Sequence, residues 1–319
     1  MITGTSIKTR LRTLRLYMLT RYAQTWAYLA PAAFSVFLLS LVPIAYSAFI
    51  AFTNFDLYHF TNYHFVGLEN FKAVLTGPFA SAFIPTIAWT FIFSGGSTLI
   101  NYAAGMLTAL LLNASGIKFK ALFRTALIVP WALPSTITVL VWQGLLNKSF
   151  GAINHILMLT GLPAVPWLVD PTWAKLSIIM VNLWLGFPFF MVSLLGGLQS
   201  IPHDIVESAK IDGASTIMLF RHIIFPLLWR FSVPLILGTF AYNFNNFGVV
   251  YLLTQGGPPR ATTAFAGTTD VLSTQIYNMT LTFNRYDIAA TLGLVLFVIL
   301  AMLTLIQMKI AGGLNLLEE

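Results

Sequence analysis

Six stretches of the chain stay apolar long enough to cross a bilayer, and the polar positions gather between them. A helix needs about 20 residues to cross a hydrocarbon core. The stretches run near Trp26–Phe52, Thr86–Asn113, Thr125–Leu146, Leu176–Gln199, Phe231–Leu253 and Ile288–Met308. The second lies in a longer uncharged run, Ala73 to Ile117, of which only the C-terminal part need be embedded. A backbone in lipid must satisfy its own hydrogen bonds, so such stretches become helices. Alternating strands of about ten residues would mark a β-barrel, and none is visible. The pattern predicts an all-α, polytopic membrane bundle of about six transmembrane helices. The longest loop before the third helix is Thr53–Pro85, broken by Gly67, Gly77 and Pro78.

The first stretch is not patterned as a cleaved signal. Its apolar run exceeds the roughly 7–15 residues of a signal core, and no small-residue cleavage site follows. Ahead of it Lys8, Arg10, Arg12, Arg15 and Arg21 alternate with Ile7, Leu11, Leu14 and Met18. Residues 1–23 are therefore expected to form an amphipathic segment on the cytoplasmic face. Residues 24–319 are expected to form one transmembrane domain, because no polar stretch is long enough for a soluble one.

Composition strengthens the membrane reading. Of 319 residues, 57% are hydrophobic and 8% charged; a soluble domain carries about 25% charged residues. The net charge of +7 does not indicate nucleic acid, because the positives cap apolar runs and form no basic stripe. They set an orientation instead. With the N-terminus inside, the inner segments hold the five N-terminal positives, Lys118, Lys120, Arg124, Lys210, Arg221, Arg230 and Lys309. The outer segments hold only Lys72, Lys148, Lys175, Arg260 and Arg285. Both termini are expected in the cytoplasm. The lack of cysteine removes disulfides, thiolate metal sites and a thiol nucleophile. The five histidines show no metal-binding spacing, and no catalytic triad stands out.

The most polar internal stretch predicted to face the cytoplasm runs from Ser200 to Leu228. Ser200 suits an N-cap, Pro202 a first turn, and Asp204 the positive end of a helix dipole. Ile201, Ile205 and Ala209 can form one apolar side. Gly213 permits a sharp turn. A second helical piece, Ala214 to Ile224, leads to Pro226 and back into the bilayer. Such a helix-turn-helix is either a docking element or a connection lying on lipid headgroups. No G-x-x-x-x-G-K-[ST] cradle for nucleotide phosphates occurs.

No charged residue falls inside the core of a predicted span, which argues against proton coupling and against a charged solute. The embedded polar groups are amides and hydroxyls. Thr239, Tyr242, Asn243 and Asn246 follow i, i+3, i+4, i+7 spacing, which puts them on one face of the fifth helix. Asn182 and Gly186 lie four apart on the fourth, with Leu185 beside them. Amides suit sugar hydroxyls, aromatic rings suit the apolar face of a pyranose, and glycine lets a ligand approach the backbone. At about 1.5 Å per residue, Asn243 is roughly 20 Å from Arg230 and Asn182 roughly 10 Å from Lys175. These are similar depths, so both patches could line one cavity in the outer half. Such residues also commonly bond one membrane helix to another.

The Ser200–Leu228 loop resembles the signature loop of ABC-importer permeases, a Glu-Ala-Ala followed by glycine and then Ile-x-Leu-Pro. Glu207, Ser208, Ala209, Gly213, Ile223, Phe225 and Pro226 occupy those positions, with Ser208 for alanine and Phe225 for leucine. FVGLENFKAVL, LNKSFGAIN, VNLWLGFP, FAYNFNNFGVVYLLTQGGP and IAATLGLVLFV are similar to carbohydrate permeases of that type, from about Gln24 onward. VNLWLG and YNFNNF are most similar to the larger membrane subunit of maltose/maltodextrin importers. The enterobacterial form of that subunit has two further N-terminal helices and a folded external insertion, so contacts of that insertion are not carried over.

The resemblance implies a type I importer fold in a bacterial or archaeal cytoplasmic membrane. It implies no catalytic role and no cofactor in this chain, with ATP and magnesium held by a separate ATPase. The implied partners are a second permease, an ATPase dimer, an extracytoplasmic sugar-binding protein, the lipid bilayer and the sugar itself: maltose, maltodextrin or a related glucoside. Positions matching the family's sugar site are Trp131, Asn182, Leu185, Gly186, Thr239, Tyr242, Asn243 and Asn246. The helix count puts Trp131 nearer the inner side. Glu207, Ser208, Ala209, Gly213, Ile223 and Pro226 would couple to the ATPase. QGGPP at Gln255–Pro259 reads as an external turn after the fifth helix, and only secondarily as a docking site for a binding protein. The rival readings are a stand-alone secondary transporter or channel for a neutral polar solute, and a membrane scaffold.

Overall fold

The computed structural model describes residues 25–114 and 116–310. The amphipathic segment expected at 1–23 lies outside the described residues. Twelve helices and one hairpin are described: α1 Thr25–Ile50, α2 Glu69–Leu75, α3 Ala80–Asn113, α4 Lys120–Ala132, α5 Ser135–Leu145 and α6 Ala152–Leu159. There follow α7 Pro171–Gln199, α8 His203–Ile211, α9 Thr216–Phe244, α10 Gly248–Thr254, β1 Pro259–Arg260, β2 Thr263–Gly267, α11 Leu272–Leu281 and α12 Tyr286–Ile310. Among the described residues five helices, α1, α3, α7, α9 and α12, are long and apolar enough to span a membrane, and there are six such spans if the bent pair α4–α5 is counted as one.

The centre of the bundle is α3 against α7, the most extensive helix pair. Between helices in lipid the hydrophobic effect contributes little, so small residues that allow close packing decide such contacts. Gly105 does so here. A Cβ at Gly105 would collide with Phe190 Cβ and sit 2.8 Å from Met191 N and 3.0 Å from Phe187 O. Phe190, Met191 and Leu194 are fully buried against Met106 and Ala109. Because the obstructing atoms include backbone, they cannot rotate aside. Gly105→Ala is expected to cost about 1–3 kcal/mol by overpacking and to lower the apparent Tm of the detergent-solubilised protein. An unchanged Tm would refute this packing account.

The helix breaks differ from those expected. The third span is not one straight helix from Thr125 to Leu146. Leu133 precedes Pro134, and a residue before proline is pushed out of the helical region. Leu133 takes ψ 146°, and α4 and α5 meet at 92°. The fifth span starts earlier and stops sooner than Phe231–Leu253. It ends at Phe244, and the chain restarts as α10. Asn246 Oδ1 accepts from the Val249 N–H at 3.2 Å, a local bond that favours a cap over a continuous helix.

Pro226 does not break the chain. A π-turn over Phe220–Ile224 immediately precedes it, with the Phe225 N–H bonded to Phe220 O. The widened turn makes room where the proline ring would strike a preceding carbonyl. The same arrangement recurs in α1, where a π-turn at Phe37–Leu41 precedes Pro43. Ser200 is not the N-cap expected of it. It ends α7, with its hydroxyl on Gly197 O at 2.8 Å, and Pro202 occupies the cap position of α8.

A polar cap closes the end of the bundle where α3 begins. The β1–β2 hairpin follows the turn at Gln255–Pro259. Asp270, buried beneath it, accepts from the Gly267 N–H at 2.7 Å and the Thr274 hydroxyl at 2.7 Å. Burial pushes its carboxyl above the ordinary range, against these bonds and nearby Arg260. Gly256, at φ +81°, leaves the space that this carboxylate fills.

Candidate functional site

One cavity of about 960 Å³ opens between α4–α5, α7 and the α9–α10 break, with Leu300 and Thr304 of α12 at its edge. All eight sugar-site candidates line it: Trp131, Asn182, Leu185, Gly186, Thr239, Tyr242, Asn243 and Asn246. The bend at Leu133–Pro134 explains how Trp131 reaches it, against the depth counted along a straight helix. Trp131 is 54% exposed, with its ring 6.3 Å from that of Phe189. Tyr242 is 73% exposed. These two rings are the accessible aromatic surfaces among the eight.

The asparagines play two parts. Asn182 and Asn243 line the cavity, yet they are 5% and 2% exposed. Asn182 Nδ2 donates to Asn243 Oδ1 at 3.2 Å. Asn101 Nδ2 donates to Asn182 Oδ1 at 3.1 Å, and Asn243 Nδ2 donates to Thr98 Oγ1 at 3.0 Å. The helix-packing reading of these amides is therefore realised beside the cavity-lining one, and the chain of bonds ties α7 and α9 to α3. Gly186 also departs from expectation. The space that its missing side chain leaves is taken by Asn101, whose amide nitrogen a Cβ would strike. It admits protein where the sequence reading had it admit a ligand. Asn246 does not share a helical face with Asn243, since the helix has ended, but the break still turns it toward the cavity.

Sequence reasoning missed Asn101, Ser135, Thr136 and Asn245, all of which line the cavity. The spacing of Thr98, Asn101 and Gly105 along α3 carried a signal, but it gains meaning only once α7 is known to lie against it. Among the described residues no Asp, Glu, Lys or Arg lines the cavity. Among the described residues no three His, Asp or Glu converge as metal ligands.

The second candidate element is α8 with the start of α9. Gly213 takes φ +85° with open space around it, and the Ser215 side chain caps the Met218 N–H at 3.3 Å. None of the α8 residues is buried. Glu207 and Ser208 are exposed, Ala209 and Ile223 half-buried, and Ile211 and Ile217 are 80% and 79% exposed. This is a folded, well-turned element with unfilled apolar positions.

Residues 101–310, which hold all but the first helices, match the family described as the binding-protein-dependent transport system inner membrane component. The chain belongs to that family. It is a transport permease and no enzyme. This permease is 38% identical over 284 residues to the galactooligosaccharides transport system permease protein GanP of Bacillus subtilis, covering 88% of this chain and 68% of that one. It is 36% identical over 296 residues to the maltodextrin permease MdxF of the same organism, covering 89% and 68%. Against the maltose/maltodextrin permease MalF of Salmonella typhimurium it is 37% identical over 255 residues, 76% of this permease but 48% of that protein. It thus spans about half of MalF. A solved bacterial alginate ABC transporter in complex with its pentasaccharide-bound periplasmic protein matches it at TM-score 0.76 and 25% identity, covering 92% of this chain and 96% of that one.

Proposed function

We propose that this permease carries a neutral oligosaccharide of the maltodextrin or galactooligosaccharide kind through its cavity, by alternating access driven by a separate ATPase. The observation that carries the reading is the cavity wall. Among the described residues it offers amides, hydroxyls and aromatic rings, of which Trp131 and Tyr242 are exposed, and no charged side chain. Hydroxyl-rich, uncharged solutes suit such a wall, with rings stacking on apolar sugar faces and amides pairing with hydroxyls. An acidic polysaccharide such as alginate would need basic partners that this wall lacks. The curated relatives named for galactooligosaccharides and maltodextrin support the neutral class.

The α8–α9 turn, with Glu207, Ser208, Ala209, Gly213, Ile223 and Pro226, seats on the ATPase at the cytoplasmic face. Its exposed isoleucines support a docking role over rest in a solvated loop, and the basic residues near it support its cytoplasmic placement. The remaining partners are a second permease and an extracytoplasmic sugar-binding protein. The test is uptake by cells carrying the whole transport system, with labelled maltotriose, galactotriose and an alginate trisaccharide. The neutral sugars are expected to be taken up in an ATP-dependent manner and the alginate excluded. Tyr242→Ala is expected to reduce neutral uptake about tenfold, the loss of one stacked ring and its hydroxyl. Equal uptake of the alginate, or uptake without ATP, would refute the proposal.

A further inference from the structure

We propose that Thr98 and Asn101 are positioning residues that tie the amides of Asn182 and Asn243 into one concerted orientation, and so set what the cavity wall offers to sugar hydroxyls. The inference rests on the cavity being the solute's path.

The hydrogen bonds run in one direction, from Asn101 to Asn182 to Asn243 to Thr98. All four residues are between 1% and 5% exposed, so water does not compete for these bonds. Each carboxamide has two N–H donors and one oxygen with two lone pairs. Asn182 and Asn243 each spend one donor and one lone pair on the chain. Both also line the cavity, so the hydrogen-bonding character of its wall follows the chain. Which atom stands where therefore depends on the direction of the chain.

That direction can reverse only as a whole. Flipping one amide alone would set N–H against N–H or oxygen against oxygen. Flipping all three requires that the far end change from acceptor to donor. Thr98 can do so, because a hydroxyl both donates and accepts. At the other end Asn101 Oδ1 is buried without a partner, and Asn101 itself lines the cavity. A buried acceptor left unpaired is costly, so the chain is satisfied at its Thr98 end and unsatisfied at its Asn101 end. The chain thus has an adaptable end at Thr98 and an open end at Asn101, with the two lining amides between them. Gly186 keeps the open end in place, since any side chain there would displace the Asn101 amide.

The test uses cells with the complete transporter. Uptake of maltotriose is measured in competition with its monodeoxy analogues, each lacking one hydroxyl. The binding protein's own preference is the same in wild type and variant, so it divides out of the comparison. Thr98→Val removes the hydroxyl at constant shape. It is expected to shift the discrimination between maltotriose and at least one deoxy analogue about tenfold, the worth of one oriented hydrogen bond to a buried partner. Thr98→Ser restores the hydroxyl and is expected to keep discrimination within about twofold of wild type. Asn101→Leu cuts the chain at its other end and is expected to shift the same analogues. If Thr98→Val lowers uptake of every analogue by one common factor, or leaves all ratios at wild type, the proposal fails. Trp131→Ala and Asn246→Ala separate that failure from a wrong cavity. If these two also leave rates and ratios unchanged, the solute does not pass here. If they alter uptake while Thr98→Val does not, the cavity stands and the positioning role falls.

Discussion

Cells carrying Glu207→Lys together with Gly213→Val are expected to lose sugar uptake about 100-fold, the loss of two interface hot spots, while the permease stays in the membrane at its normal level. Both halves follow from the α8–α9 turn. Glu207 is exposed and no residue of α8 is buried, so charge reversal breaks nothing inside this chain. Gly213 has open space around it, so a side chain meets no obstruction. What valine cannot do cheaply is hold φ +85°, because a Cβ in the left-handed region costs about 1–2 kcal/mol. The turn then opens and the exposed Ile211 and Ile217 change their relative placement. A connection that merely lies on headgroups would tolerate both changes, because nothing would depend on how Ile211 and Ile217 are placed. Uptake, membrane level by immunoblot and co-purification of the ATPase together decide the matter. Full uptake with the ATPase retained would return the turn to the status of a connecting loop.

The spans were legible because lipid imposes one demand, a long uninterrupted apolar helix, and composition alone reports it. The breaks were not. The apolar stretches read from the sequence run through Leu133–Pro134 and Asn245–Gly248, and an average over a span-length window cannot register a 92° bend or a helix that stops and restarts. Proline was a readable warning at Leu133, where the pre-proline preference forces an extended residue. It misled at Pro226, because the π-turn at Phe220–Ile224 lets the helix pass. The site followed the same division. Residues sharing a helix, such as Asn182 with Gly186 or Thr239 with Tyr242 and Asn243, could be grouped by spacing. Asn101 and Thr98 could not, because their meaning lies in the amides they meet on α7 and α9. Asn246 reached the cavity by a route its spacing did not describe. Spacing also assigned Gly186 a role toward the ligand, when its effect is exerted through Asn101.

That last difference makes Gly186 a sensitive position in the cavity wall. Gly186→Ala is expected to reduce uptake about 30-fold, the combined cost of overpacking and one lost buried hydrogen bond, about 2 kcal/mol. The added methyl would overlap the Asn101 amide nitrogen and stand 2.9 Å from its Cγ. Asn101 cannot retreat without breaking its bond to Asn182, because α3 and α7 are already in close contact around Gly105. The overlap is between side chains, so it has a specific remedy. Asn101→Ala alone should be the milder change, removing one bond and its orphaned oxygen. In Gly186→Ala/Asn101→Ala the collision is gone, and uptake is expected to recover to the level of Asn101→Ala. The cycle therefore predicts strong positive coupling, as contacting residues show. If glycine were needed for the approach of sugar to the backbone, the double variant would instead be at least as impaired as the product of the single ones. Uptake rates for the four proteins, normalised to membrane level, tell these two outcomes apart.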